Sequence, residues 1–204
     1  MTTFYIVRHG ETLWNAEGRI QGHTDVGLIE RGREQARATA RRLAGNAFGV
    51  AYSSDMSRTI ETAQIILGER DIPLNSVPEL REYNKGVFEG LTPDEYREQY
   101  PHLYESSLVN DPDFAPPGGE TIRQCQSRLS QFFSCLREQH PNDEVLIVGH
   151  GGSLRSGIVA LLGLPLEANW KFVMHNCAVS MVRTYPDNSV MHLYNDTSHL
   201  KDVR

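Results

Sequence analysis

The sequence predicts an α/β fold, a three-layer α/β/α sandwich with a mostly parallel central sheet. Two observations predict it. Short apolar runs at 4–8, 49–53 and 145–149 read as strands buried on both faces. Segments of helical period alternate with them, at about 31–45, 55–68, 93–99, 119–139 and 153–162. Strands that alternate with helices pack as a parallel sheet covered on both sides.

Taken in order, Phe4-Tyr5-Ile6-Val7 is the first strand and runs into Arg8-His9-Gly10-Glu11. The helix after Arg31 carries Ala36, Ala40, Leu43 and Ala44 on one face and stops at Gly45, with Arg33, Arg37 and Arg41 on a solvated face. Val50-Ala51-Tyr52-Ser53-Ser54 reads as a strand entering a helix capped by Ser54 or Ser53. Thr92-Pro93-Asp94-Glu95 is a helix start with a capping box and proline in the first position. Residues 100–118 show no clear periodicity and end in Pro116-Pro117-Gly118-Gly119, an irregular stretch that could cover a site. Further strands are expected at 177–184 and 189–194, joined into a hairpin by Pro186-Asp187-Asn188. Residues 1–204 thus read as one domain with a lid-like insertion at about 83–118.

Composition narrows the function classes. A hydrophobic fraction of 39% and a mean hydropathy of −0.43 fit a globular chain, and no apolar run approaches the ~20 residues of a membrane span. Strand-like sequence begins by Phe4, which leaves no room for a leader and makes the cytoplasm the expected location. Cys125, Cys135 and Cys177 form no C-x-x-C pair and read as reduced thiols. A net charge of −6 argues against nucleic-acid and membrane partners. It also requires that any anionic ligand be met by a local cluster of cations. The hairpin offers an edge for a homodimer without demanding one.

The chemistry is concentrated at strand ends. Val145-Leu146-Ile147-Val148-Gly149 leads into His150-Gly151-Gly152, so two strands each deliver a histidine followed by glycine. In open α/β sheets ligands bind at that carboxyl end. One histidine after a strand is ordinarily structural; two in matching settings, one beside Arg8, point to phosphate chemistry. A neutral imidazole can attack phosphorus if one ring nitrogen is free and the other is fixed by a carbonyl, which the turn at Gly10 would leave available. Arg8 suits phosphate oxygens, as does Arg58 in the opening turns of its helix, although alone Arg58 reads as a surface residue. A leaving alkoxide needs a proton from a carboxyl, and the sequence does not choose between Glu79, Glu82 and Glu89, although Glu82 is favoured.

Arg8-His9-Gly10-Glu11-Thr12 with Asn15, Arg19 and Gln21-Gly22 resembles the opening signature of the histidine phosphatase superfamily, the phosphoglycerate-mutase-like proteins. Ser53-Ser54-Asp55-Met56-Ser57-Arg58-Thr59, Leu80-Arg81-Glu82, Phe88-Glu89-Gly90, Gly118-Gly119-Glu120-Thr121 and Val148-Gly149-His150-Gly151-Gly152 look similar in the same order. The resemblance implies His9 as the phosphorylated nucleophile, Glu82 as general acid then base, and Arg8, Arg58 and His150 around the phosphoryl group. It implies Asn15, Gln21, Gly22 and Gly151 as substrate-binding residues and no metal or other cofactor. Two positions depart from the pattern. Leu28-Ile29 stands where Leu-Thr is usual, so a helix cap worth about 0.5–2 kcal/mol is missing. Lys85 precedes Gly86 where a bulky apolar residue is common; it meets either solvent or a substrate carboxylate.

Within the superfamily the sequence leans to a phosphomonoesterase of the histidine acid phosphatase type, acting on small phosphorylated substrates such as phosphoserine, phosphoglycerate derivatives or sugar phosphates. Arg19-Ile20-Gln21-Gly22-His23 resembles the phosphatase branch. A mutase must hold a doubly phosphorylated intermediate, yet residues 100–118 contain no arginine or lysine. Asn195-Asp196-Thr197-Ser198-His199-Leu200 resembles phosphatase endings; His199 could approach the site, although a chain terminus is more often simply docked or mobile. Of the other histidines, His23 is expected at a pocket rim, His175 and His192 as satisfied structural residues, and His102 and His140 at the surface. A non-catalytic binding module is the least favoured reading.

Overall fold

A computed structural model describes residues 1–203 and places six strands in one sheet of order β3-β2-β4-β1-β5-β6. The strands are β1 (Thr2–Arg8), β2 (Phe48–Ser54), β3 (Leu74–Val77), β4 (Glu144–Gly149), β5 (Val179–Thr184) and β6 (Ser189–Asp196). The helices are α1 (Leu13–Ala16), α2 (Glu30–Arg42), α3 (Ser57–Leu67), α4 (Pro93–Gln99), α5 (Pro101–Leu108), α6 (Ile122–Gln139) and α7 (Gly151–Leu161). β1 to β4 run parallel, and β5 and β6 add an antiparallel hairpin at one edge.

Period-2 alternation in the central strands creates the three layers. Phe4 and Ile6 of β1, with Val145 and Ile147 of β4, pack under Leu129 and Phe133 of α6 and Leu154 and Ile158 of α7. Val7, Leu146 and Val148 face the other way, onto Ala63, Ile66 and Leu67 of α3 and Leu43 behind α2. The chain leaves β1 for one face and β4 for the other. These two strands are neighbours, so a crevice opens at their carboxyl ends.

Local signals explain most boundaries. Thr92 caps α4 in a capping box with Glu95, Thr121 does so for α6 with Gln124, and the β5–β6 turn closes from the Tyr185 N–H to the Asn188 carbonyl at 2.7 Å. Other elements differ from the sequence reading. β3 was not expected, because its middle residues Asn75 and Ser76 are exposed and only its ends are partly buried. Residues 101–108, expected to be irregular, form α5; it starts at Pro101 and buries no residue, so it leaves no apolar period to read. On α2 the buried face is Gly32, Gln35, Ala36, Ala38 and Thr39, while Ala44 is exposed. Neither Ser53 nor Ser54 caps α3. Its cap position is Met56, and Asp25 from a distant loop accepts from the Ser57 N–H at 3.0 Å instead.

The side-chain cap of α2 is absent, as the sequence predicts: Ile29 holds the cap position in extended conformation with no side-chain bond. Ile29→Thr should supply it and raise the unfolding free energy by about 1 kcal/mol, read as a higher urea midpoint at unchanged slope. An unchanged or lower midpoint would refute this account of the helix start.

Candidate active site

The parallel register pairs Arg8 with Gly149, and the His9 N–H donates to the Gly149 carbonyl at 2.9 Å. His9 and His150 are therefore adjacent, with ring centroids 5.2 Å apart and both rings buried. They line a cavity of about 330 Å³ together with Arg8, Arg58, Glu82, Asn15, Gln21, Gly22 and Gly151. All nine residues singled out from sequence thus meet in one place.

The two imidazoles are held in opposite ways. His9 Nδ1 lies 2.7 Å from the Gly10 carbonyl, which can only accept, so the proton sits on Nδ1 and Nε2 keeps its lone pair. His150 Nδ1 receives the Arg58 Nε–H at 3.2 Å, so its proton sits on Nε2, a buried atom with no partner among the described residues. One ring presents a nucleophile and the other a donor. Burial holds both imidazoles well below the ordinary histidine range, and the charges of Arg8 and Arg58 press in the same direction. Gly10 has no positive φ. It must be glycine because a Cβ would collide with the Gly32 carbonyl oxygen of the α2 start.

Arg58 is fully buried. Beyond His150 it donates to the Gly22 carbonyl at 2.9 Å and the Thr24 carbonyl at 2.8 Å, leaving two of its five N–H groups for a ligand. Arg8 donates to the Met174 carbonyl at 2.8 Å, while its buried Nε is unpartnered. Unpaired Arg8 Nε–H and His150 Nε2–H donors in one buried cavity are suited to an anion.

Of the three acidic candidates, only Glu82 lines this cavity. Its carboxylate sits at the start of α7, accepting from Ser153 N–H at 2.6 Å, Gly152 N–H at 2.8 Å and Tyr83 N–H at 3.1 Å. Glu79 is exposed. Glu89 instead holds a loop: it accepts from the His23, Thr24 and Lys85 N–H groups at 2.8 to 3.2 Å and from the Thr24 hydroxyl at 2.5 Å. This is the loop whose carbonyls carry Arg58. Gly22, at φ 59°, packs so tightly there that a Cβ would meet the Glu89 carboxylate.

Sequence reasoning missed three contributors. Arg155 on α7 lines the cavity, its Nη1 donating to the Phe172 carbonyl at 3.0 Å. Asn176 donates to the His9 carbonyl at 2.9 Å and to Asn15 Oδ1 at 3.2 Å, and Tyr83 forms a wall. None belongs to a motif with a fixed spacing. Lys85 lines the cavity, its ammonium 3.6 Å from the Tyr83 ring centroid. His23 stands behind the site, its Nε2–H donating to the Glu82 carbonyl at 2.8 Å. His199 does not reach the cavity; it bonds Thr39 and the Cys177 carbonyl, each at 3.1 Å, beneath β1. His175 and His192 are exposed rather than satisfied in the interior. Among the described residues, no cluster of three or more His, Cys, Asp or Glu side chains could hold a metal, and no helix is long and apolar enough to cross a membrane.

Comparison with known proteins matches residues 4–197 to the model of the histidine phosphatase superfamily, branch 1. The chain is 36% identical over 212 residues to a probable phosphoglycerate mutase, GpmB, of Yersinia pestis, spanning 98% of this chain and 95% of that one. It is 31% identical over 200 residues to phosphoserine phosphatase 1 of Hydrogenobacter thermophilus, with the same coverage. The solved structure of Bacillus stearothermophilus YhfR superposes with a TM-score of 0.92 at 33% identity, covering 98% of this chain and 100% of that one.

The buried imidazoles tie stability to pH. Their folded pKa lies below the unfolded value near 6.5, so the unfolded chain binds more protons as pH falls through and below that value. Stability should be flat above about pH 7 and decline from about pH 6.5 downward. Urea unfolding at pH 7.5, 6.5 and 5.5 checks this, and the decline should be shallower in His9→Asn. A flat profile in the parent chain would contradict the buried neutral pair.

Proposed function

The chain belongs to the histidine phosphatase superfamily, and from that premise we propose that it is a phosphoric monoester hydrolase working through phosphohistidine without a metal. The observation that carries the reading is the complementary protonation of two buried imidazoles in a cationic cavity. His9 Nε2 attacks phosphorus while the bond to the ester oxygen breaks, and Glu82 supplies the proton that the departing alkoxide takes. Water then attacks phosphorus, Glu82 recovers a proton from it, and the N–P bond breaks to release phosphate and neutral His9. Arg8, Arg58 and the His150 Nε2–H meet the charge on the phosphoryl oxygens, the role a metal fills in other phosphoryl-transfer sites. Asn15, Gln21, Gly22 and Gly151 line the phosphate cavity, and Tyr83 and Lys85, at the start of the proposed lid-like segment at about 83–118, reach its wall.

Small phosphorylated metabolites are the proposed substrates. The similarity to phosphoserine phosphatase 1 supports hydrolysis, and that to the probable mutase keeps isomerisation as the second reading. The absence of arginine and lysine from residues 100–118 favours hydrolysis, since a mutase needs cations for a second phosphate.

In EDTA the enzyme should release phosphate from such esters at an undiminished rate, and His9→Ala should lose about 10³-fold or more. Mass spectrometry of rapidly quenched enzyme should find a phosphoryl adduct on His9. Equal release by His9→Ala removes the nucleophile assignment; efficient 3- to 2-phosphoglycerate conversion without phosphate release makes the chain a mutase. Glu89→Ala, which frees the loop that carries Arg58, should lower kcat/KM by about 10- to 100-fold with the fold retained by circular dichroism. Parent-like turnover would show that the loop needs no such anchor.

A further inference from the structure

A second cavity, of about 240 Å³, opens beside the phosphate cavity and shares Ile20, Tyr83 and Lys85 with it. Five aromatic rings line it, those of Phe88, Tyr96, Phe114, Trp170 and the shared Tyr83, beside the polar Ser107 and Asn110. Phe88 and Tyr96 are 4% and 6% exposed, so their rings are set in a packed wall rather than lying loose on the surface. The charges around it are few and mostly engaged. Glu120 is held by Arg128 at 2.9 Å, and Asp111 accepts from the Asp113 N–H at 2.9 Å. Lys85, at the seam, has no carboxylate partner among the described residues and rests on the Tyr83 ring.

We propose that this cavity is the leaving-group subsite, and that the preferred phosphomonoesters carry an aromatic ring set back from the ester oxygen. The proposal rests on the phosphomonoesterase reading and narrows its substrate class. The three shared lining residues set the two cavities side by side, within reach of one ligand, and the two volumes together fall in the roughly 300–1,000 Å³ of small-molecule sites. The smaller cavity has room for a single ring system. Aromatic walls favour that ring through edge-to-face and offset contacts as well as area removed from water. A short hydrophilic ester, such as phosphoserine, would leave these walls uncovered.

The test separates ring recognition from chemistry by using phosphonates, which bind without being hydrolysed. Calorimetry compares 2-phenylethylphosphonate with ethylphosphonate on the parent chain, on Phe114→Ala and on Val109→Asp, whose rim position is 69% exposed and carries little of the packing. The aryl compound should bind about 30- to 100-fold more tightly to the parent. Both variants should erase most of that preference and leave ethylphosphonate affinity unchanged. Equal affinities in the parent, binding of neither compound, or a preference that survives both variants would overturn the subsite. The matching phosphate esters, whose alcohols are similar in acidity, should show the same ratio in kcat/KM. A binding preference without hydrolysis of either ester upholds the subsite and removes the phosphatase reading, so the two failures are distinguishable.

Discussion

The pairing of β1 with β4 is the constraint on which the rest depends. Its register sets Arg8 opposite Gly149 and so puts His9 beside His150 at the carboxyl edge of the sheet. A slip of one residue would turn every side chain of β1 to the other face, sending Phe4 and Ile6 into the layer under α2 and α3 and Tyr5 and Val7 into the layer under α6 and α7. The fit of particular side chains to the two layers therefore fixes where the imidazoles stand. What each imidazole does is then decided by a single local bond, to the Gly10 carbonyl for His9 and to Arg58 for His150.

Arg58 shows how an acidic chain holds positive charge out of water. A buried guanidinium is costly unless its donors are satisfied. Here the neutral carbonyls of Gly22 and Thr24 and the ring of His150 satisfy three of them without a tight carboxylate partner. Asp25, at 3.7 Å and half exposed, is the nearest counter-charge. A close salt bridge would have neutralised the arginine and taken its donors. Glu89 serves from one step away, bonding the backbone that bears those carbonyls rather than the guanidinium itself. The negative charge is used to hold geometry, and the positive charge stays available to a ligand.

The central strands, the longer helices and the capping box at Thr92 were legible because each carries a strong local signal: an apolar run, a helical period, or a side chain that bonds its own backbone. β3 and α5 were not, since neither buries enough apolar surface to impose a pattern. The same division runs through the site. His9 and His150 announced themselves by repeating one setting, whereas Glu82 could not be separated from Glu79 and Glu89 by spacing, and the resemblance had to single it out. The separation lies in tertiary structure, where only Glu82 reaches the N-terminal N–H groups of α7. Arg155 and Asn176 act from positions that only the folded chain brings near the histidines. Ser53 and Ser54 misled for the opposite reason: their residue type suits a cap, but the strand runs on through them and buries both hydroxyls.

In the proposed function, phosphate recognition and the recognition of everything beyond phosphate are drawn from different parts of this chain. The histidines and Arg8 hang from strand ends, Arg58 from a helix start, and Glu82 from a loop pinned by its bonds to the start of α7, so a misplacement of about 1 Å would be felt in the proposed chemistry. The second cavity is walled mainly by residues of 83–122, a segment that packs through aromatic contacts such as Phe88 on Tyr96 at 3.9 Å and carries no strand of the sheet. Substitutions there change the shape and polarity of one wall without moving the strand register. On that reading, a fold divided in this way can alter the alcohol it accepts while the proposed phosphate site stays unchanged. Lys85 illustrates the division, since it departs from the usual apolar residue at its position yet lies on the seam, where it touches Tyr83 and leaves the histidine pair undisturbed.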